Sequence, residues 1–277
     1  MIDDNSLIEM SVEEIRQCLV RLLCRLDSIC RENNIQYSLA HGTLLGAARH
    51  RGFIPWDDDI DVMMTAENYR KFISLPCFQS ADKNSEIVLL SFENKEQTRC
   101  YYPFSKLTDN MTLIKTKFLR DESGIWIDIF PVTAIPDKPR QYRYYFIKMQ
   151  IMHRLLSASH RYRGNIDWNP VTWVKQAVCN VCYIKRFFLT KIMKEIAFSV
   201  PWDSTDLVSV LWGYGEKETF SKSLFDRYTE LEFEGMKFMA ISKYETYLTS
   251  VYEKWRELPP VEDQVGHHYY TAYKRKT

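Results

Sequence analysis

Between His41 and Met64 the chain reads HGTLLGAARHRGFIPWDDDIDVMM, with four aspartates in five positions running straight into Val62-Met63-Met64. Few structures can hold that much negative charge against an apolar strand. If Asp59 to Met63 is extended, successive side chains alternate faces, so Asp59 and Asp61 project together while Ile60 and Val62 enter a core. Two neighbouring carboxylates repel, and burial raises at least one pKa unless a cation lies between them. That makes a hard divalent metal, Mg²⁺ or Mn²⁺, the natural third party, and a metal so held binds phosphates. The preceding His41-Gly42-Thr43 fits the same purpose. Gly42 lets backbone approach a ligand, Thr43 offers a hydroxyl, and a helix starting near Leu44 aims N–H groups at an anion.

Other readings of the acidic run differ in their demands. An EF-hand loop from Asp57 needs Gly at its sixth position and Glu at its twelfth, where this chain has Val62 and Asn68, so that reading fails. An Asp-x-Asp strand end also holds the metal of many sugar-nucleotide glycosyltransferases, which leaves sugar transfer open beside phosphoryl transfer. A non-catalytic scaffold that binds glycan precursors is the alternative from another class. Asp57 and Asp58 read as a solvated loop, whereas Asp59 and Asp61 are embedded among apolar residues. Arg49, His50 and Arg51 lie between turn and acids, where Arg49 can meet phosphate oxygens.

The rest of the chain supplies a frame for this segment. Ser11 and Glu14 form a capping box ahead of Ile15, Leu19, Leu22, Leu26 and Ile29 at helical spacing, which predicts a long amphipathic helix on the catalytic sheet. Ile35 to Ala40 and Ile87 to Phe92 read as strands, Ala66 to Leu75 as a helix, and Pro103 to Leu107 with Met111 to Lys115 as a strand pair across Thr108-Asp109-Asn110. Lys106 is a cation for a departing phosphate or an edge device. From Ile125 to Phe130 the alternation places Ile125, Ile127 and Ile129 on one face and Asp128 on the other, where a lone acid needs a partner. Asp59, Asp61 and Asp128 would then hold one or two ions, with Asp128 also placed to take a proton from the acceptor. Toward the C-terminus, Glu234-Gly235 reads as a hairpin turn and Ser242 to Trp255 as a helix.

Charge is unevenly distributed. The whole chain has a formal net charge of +1, yet residues 138–194 hold twelve Lys and Arg against one acid, Asp167. Tyr142, Tyr145, Phe146, Met149, Met152 and Leu156 recur at helical spacing there, and Trp173 to Val200 is a second apolar and basic helical stretch. Lysines interrupt it too often for a bilayer span, so the region is expected to meet an anionic membrane surface or an anionic substrate. No base-stacking or groove-reading module accompanies it, so no nucleic acid partner is expected. The seven cysteines lack framework spacing and no signal-peptide pattern opens the chain, which leads us to expect a reducing cytoplasm, with peripheral contact at the inner membrane face. Cys179 and Cys182 have no second pair to complete a zinc site. The fold class expected is α/β: a mixed sheet of about residues 30–135 flanked by helices, a mostly helical basic region at about 137–215, and a C-terminal hairpin and helix at about 216–277, in one composite domain.

His41-Gly42-Thr43-Leu44-Leu45-Gly46 followed by Trp56-Asp57-Asp58-Asp59-Ile60-Asp61 resembles the signature of the LicD family of phosphotransferases. The resemblance continues in Lys106-Leu107 with Asp109, in Ile127-Asp128-Ile129-Phe130-Pro131, in Phe233-Glu234-Gly235, and in Leu258-Pro259-Pro260 followed by His267-His268. Val251-Tyr252-Glu253-Lys254-Trp255 departs from the Tyr-Gly-Asp-Tyr-like segment of many members. The resemblance implies a nucleotidyltransferase-like fold and transfer of an alcohol phosphate, foremost phosphocholine, from a CDP-alcohol to a sugar hydroxyl of a surface glycan such as lipopolysaccharide or teichoic acid, the acceptor being free or lipid-linked. In that scheme CMP leaves, the metal neutralises the pyrophosphate, Gly42 and Thr43 hold it, and Lys106 supports the departing CMP phosphate.

Overall fold

Helix α1 (Val12–Glu32) starts where the sequence predicts: the Ser11 side chain accepts from the Glu14 N–H while the Glu14 carboxylate accepts from the Ser11 N–H, satisfying two donors that a helix end otherwise strands. Its apolar stripe, Ile15, Leu19, Leu22 and Leu26 among others, is buried against the main sheet. These features come from a computed structural model of the chain, which describes residues 7–78, 85–94, 100–116, 123–160, 170–266 and 270–275.

The main sheet has the order β2 (Ser38–Leu39), β3 (Asp61–Thr65), β7 (Trp126–Ala134), β5 (Ser105–Asp109), β4 (Ile87–Leu90), and β8 (Leu207–Val210) with β9 (Thr219–Ser221) extends it along the C-terminal end of β7. Only β3 and β7 run parallel among these pairs. The mixed α/β architecture is the one expected. Ile125, Ile127 and Ile129 are buried as the alternation requires. A row of direct partners crosses the sheet: Asp61 on β3 opposite Asp128 on β7, and Asp128 opposite Lys106 on β5. Side chains of directly paired residues share a face, so the register gathers the polar residues by itself.

The pairing across Thr108-Asp109-Asn110 does not form. β5 already has β7 and β4 on its two sides, while β6 (Thr112–Lys115) pairs with β12 (Thr271–Arg275) in a separate sheet with β1 (Leu7–Glu9). Asp109 makes the exit, with Oδ2 taken by Arg21 at 2.5 Å and Oδ1 accepting from the Met111 N–H at 2.7 Å. Lys106, in an interior strand, is therefore no edge device. β8 is a strand that the sequence reading did not anticipate.

Helix α2 is His41–His50 and α3 is Ala66–Ile73. The basic stretch forms two packed helices, α4 (Pro139–His160) and α5 (Pro170–Ala197). β10 (Tyr228–Phe233) and β11 (Met236–Ile241) form the expected hairpin, Glu234 and Gly235 both at positive φ, and α6 (Tyr244–Tyr252) follows. No described helix is long and apolar enough to cross a membrane.

Candidate active site

A pocket of about 720 Å³ opens at the N-terminal end of β3 and is lined by the first turn of α2, the acidic run, the Trp212–Tyr214 loop and the segment after α6. Helix α2 starts earlier than expected, at His41 rather than near Leu44, so His41, Gly42 and Thr43 are its first turn. Thr43 is buried and its hydroxyl accepts from the Asp61 N–H at 2.8 Å. It fixes the start of β3 and does not line the pocket, a correction to its expected place on phosphate.

Gly42 does line the pocket, and the reason for glycine is visible. A Cβ there would stand 2.6 Å from Asp57 Oδ2, so the missing side chain makes room for a carboxylate of the chain itself. Asp57 and Asp58 are not a solvated loop. Asp58 is 5% exposed, and Asp57 lines the pocket with Asp59 and Asp61. Arg16 of α1 holds the loop in place by donating to the carbonyls of Pro55 at 2.8 Å and Asp57 at 2.6 Å.

The strand begins at Asp61, so Asp59 precedes it and stands exposed at the open side of the pocket. Protein nevertheless surrounds it on several sides, and this enclosure, followed by the charges of Asp61, Asp57 and Asp128, raises its pKa well above the carboxylate range. Desolvation first and Asp61 next raise Asp57 as well. A site that makes acids this reluctant to ionise is electrostatically unfinished without a cation.

Asp128 lies one strand over, and its Oδ1 meets Lys106 Nζ at 2.8 Å. Burial raises its pKa, Lys106 opposes the rise, and Asp61 adds to it. Lys106 is itself enclosed, with Nζ 4.0 Å from the Trp126 ring and 4.7 Å from the Tyr102 ring. The structure thus corrects one expectation, since Lys106 faces Asp128 and not the pocket; among the described residues no three His, Cys, Asp or Glu side chains converge as a ready metal cage.

His41 is the best-anchored side chain of the site. Its Nδ1 faces Asp61 Oδ2 at 3.3 Å and its Nε2 faces Glu218 Oε1 at 3.0 Å. Burial alone would depress its pKa, but Glu218 and Asp61 together raise it well above the usual value, so the two carboxylates favour the protonated ring. Glu218 is fully buried; burial pushes its pKa up, and His41, Tyr247 and the Tyr214 N–H more than reverse that. Tyr214 N donates to Glu218 Oε2 at 2.5 Å, and Tyr247 donates to Oε1. The backbone of His41 has φ 43°, a left-handed value that costs energy outside glycine and persists only where neighbours over-determine it. Sequence reasoning missed Glu218, which lies 177 positions from His41.

Arg49 lines the pocket and donates to the carbonyls of Trp255 at 2.9 Å and Glu257 at 3.1 Å, so part of its donor capacity ties α2 to the opposite wall. That wall is aromatic, with Trp56, Trp212, Tyr214, Tyr252 and Trp255 in the lining; the rings of Tyr214 and Tyr252 stand 5.9 Å apart. Glu234 is a brace, accepting from the Phe53 N–H at 3.0 Å. His267 and His268 lie outside the described residues.

Comparison with known proteins adds to this geometry. The family described as "LicD/FKTN/FKRP, nucleotidyltransferase domain" matches residues 34–154, a span that contains Gly42, Asp57 to Asp61, Lys106 and Asp128. The lipopolysaccharide cholinephosphotransferase LicD of Haemophilus influenzae is 30% identical over 280 residues, covering 96% of this chain and 98% of its own length. An uncharacterized protein of Rickettsia prowazekii is 44% identical over 50 residues, 18% of this chain and 19% of its own.

Proposed function

The chain belongs to the LicD family and is a phosphotransferase, and from that premise we propose that it moves phosphocholine from CDP-choline to a sugar hydroxyl of lipopolysaccharide and releases CMP. The observation that carries this reading is the pocket's combination of crowded carboxylates with an aromatic wall. Carboxylates of raised pKa suit a divalent cation, and aromatic faces suit a quaternary ammonium. The near full-length similarity to a lipopolysaccharide cholinephosphotransferase supports phosphocholine as the group moved and lipopolysaccharide as the acceptor.

Asp59 and Asp61, with Asp57 beside them, are the residues proposed to hold Mg²⁺ or Mn²⁺. A set of two or three carboxylates without a complete cage fits Mg²⁺, which commonly keeps waters and substrate phosphate among its ligands. When bound, the ion would supply charge neutralisation to the pyrophosphate. His41, braced by Glu218, keeps the Asp61 carboxylate oriented. Gly42 and the amino-terminal end of α2 offer a positive helix end to the phosphates. The acceptor hydroxyl attacks the choline-bearing phosphorus in line, the bond from that phosphorus to the CMP oxygen breaks, and the hydroxyl proton passes to a carboxylate; we assign this to Asp128, which lies behind the pocket lining beside Asp61 in the sheet register. Burial raises the pKa of Asp128 against the opposing charge of Lys106, the direction that favours a general base. Lys106 is a positioning residue for Asp128 in this scheme.

The reading is tested by nucleotide product analysis with lipopolysaccharide as acceptor. CMP release is expected with CDP-choline, far above that with CDP-glycerol or CDP-ribitol. Turnover of a UDP-sugar in place of CDP-choline would assign sugar transfer instead.

A further inference from the structure

The α4–α5 pair carries an outer surface that the phosphotransfer chemistry leaves unused. On α5, Trp173, Val174, Val178, Val181, Ile184 and Phe188 are all exposed, Val174 by 64% and Ile184 by 74%. These positions recur every three or four residues and form one broad stripe along the helix. Cys179, Thr190, Met193 and Ala197 are buried on the opposite side, so the apolar stripe points away from the protein. Helix α4 repeats the feature on a smaller scale with exposed Tyr144, Ile147 and Ile151.

Charge selects the occupant. The two helices together contain nine Lys and Arg and one acid, Glu195. Lys185 is exposed within the α5 stripe, Lys175 is exposed near its start, and Arg140, Arg143 and Arg154 are exposed on α4. A second copy of the chain seated on this stripe would set cations against cations with almost no acid to pair them. A bilayer of anionic lipid answers both features, since its interior takes the valines and isoleucine while its headgroups take the lysines, whose long stems reach back to the interface. Trp173 is of the residue type that settles at that boundary. The 28 residues of α5 make it about 42 Å long, yet its charges keep it from crossing the membrane.

We propose that α5, assisted by the outer face of α4, docks this protein flat on an anionic lipid bilayer. Helix α4 also walls a second cavity of about 240 Å³ that shares Trp212, Gly213 and Tyr214 with the main pocket. The docked helix pair therefore adjoins a wall of the pocket.

Vesicle co-sedimentation of the full chain tests it without catalysis. Binding to phosphatidylglycerol-containing vesicles should exceed binding to phosphatidylcholine vesicles at about 50 mM salt and fall steeply at about 500 mM. Val181→Asp with Ile184→Asp should keep the melting temperature of the parent, both sites being exposed, and lose at least about tenfold in vesicle binding. Equal binding to the two lipids, or unchanged binding of the doubly substituted protein, would overturn the proposal. So would light scattering that finds a dimer which the two substitutions convert to a monomer, because the stripe would then be a subunit interface.

Discussion

Replacing Glu218 with Gln preserves shape and removes one charge at the most enclosed point of the site. Three donors converge on this carboxylate: His41 Nε2 at 3.0 Å, the Tyr214 N–H at 2.5 Å, and the Tyr247 hydroxyl. An amide can keep an oxygen toward His41 and Tyr247, but its NH₂ then faces the Tyr214 N–H, donor against donor. His41 at the same time loses one of the two negative charges that keep it protonated in a buried position. Hydrogen bonds to a charged acceptor are worth about 1.5–3 kcal/mol, and removing one member of a buried ion pair costs about 3–5 kcal/mol. The two figures describe overlapping losses, so about 3–5 kcal/mol is the expected total. For a chain of this size that corresponds to a fall of roughly 5–9 °C in melting temperature. Thermal and urea denaturation of the metal-free protein measure it. Activity should fall as well, because Asp61 no longer has a fixed cation behind it. A Glu218→Gln protein within about 1 kcal/mol of the parent would refute the reasoning, since a buried charge holding three donors cannot be lost at so little cost.

Asp59→Asn should raise or preserve metal-free stability while abolishing activity, because the carboxylate is held in a site that disfavours its charge; a lower melting temperature in chelator would contradict this. Gly42→Ala should cost little stability in a helix, where alanine is favoured, yet push Asp57 out of the pocket and lower kcat, which melting and turnover measured together will check. The His41–Glu218 pair sets a pH window. His41 has a raised folded pKa, so its contribution is fully present below the unfolded histidine value and is lost as pH rises through the folded value; Glu218 is depressed, so its contribution is present above the unfolded carboxylate value and is lost as pH falls through the folded one. Relative to Glu218→Gln, the stability advantage of the parent should be largest between those limits, and an advantage independent of pH would contradict the pair.

Local signals carried much of this architecture. The capping box of Ser11 and Glu14, the alternation around Asp128 and the Glu234-Gly235 turn each depend on neighbours in sequence, and each is found as expected. What sequence could not convey were partners fixed by long-range register. Lys106 meets Asp128 because β5 lies beside β7, and Glu218 reaches His41 because β8 and β9 extend the sheet. The pairing expected across Asp109 failed for a related reason: β5 is flanked on both sides within the sheet, and no local pattern reveals that its edges are taken. Asp57 and Asp58 look like loop residues by composition, but the Arg16 clamp and the space at Gly42 turn Asp57 inward and Tyr270 meets Asp58.

The most direct test of the phosphotransfer account is CMP release from CDP-choline by the parent and by Asp61→Asn, each in Mg²⁺ and in excess chelator, with melting temperatures recorded in parallel. The parent should turn over only with metal, and Asp61→Asn should lose at least about a hundredfold in kcat, the scale of a charge-stabilising group, while losing in chelator no more stability than its contact with His41 supplies, a smaller loss than that of Glu218→Gln. Near-normal turnover by Asp61→Asn, or parent turnover that survives the chelator, would contradict a carboxylate-held metal at this pocket.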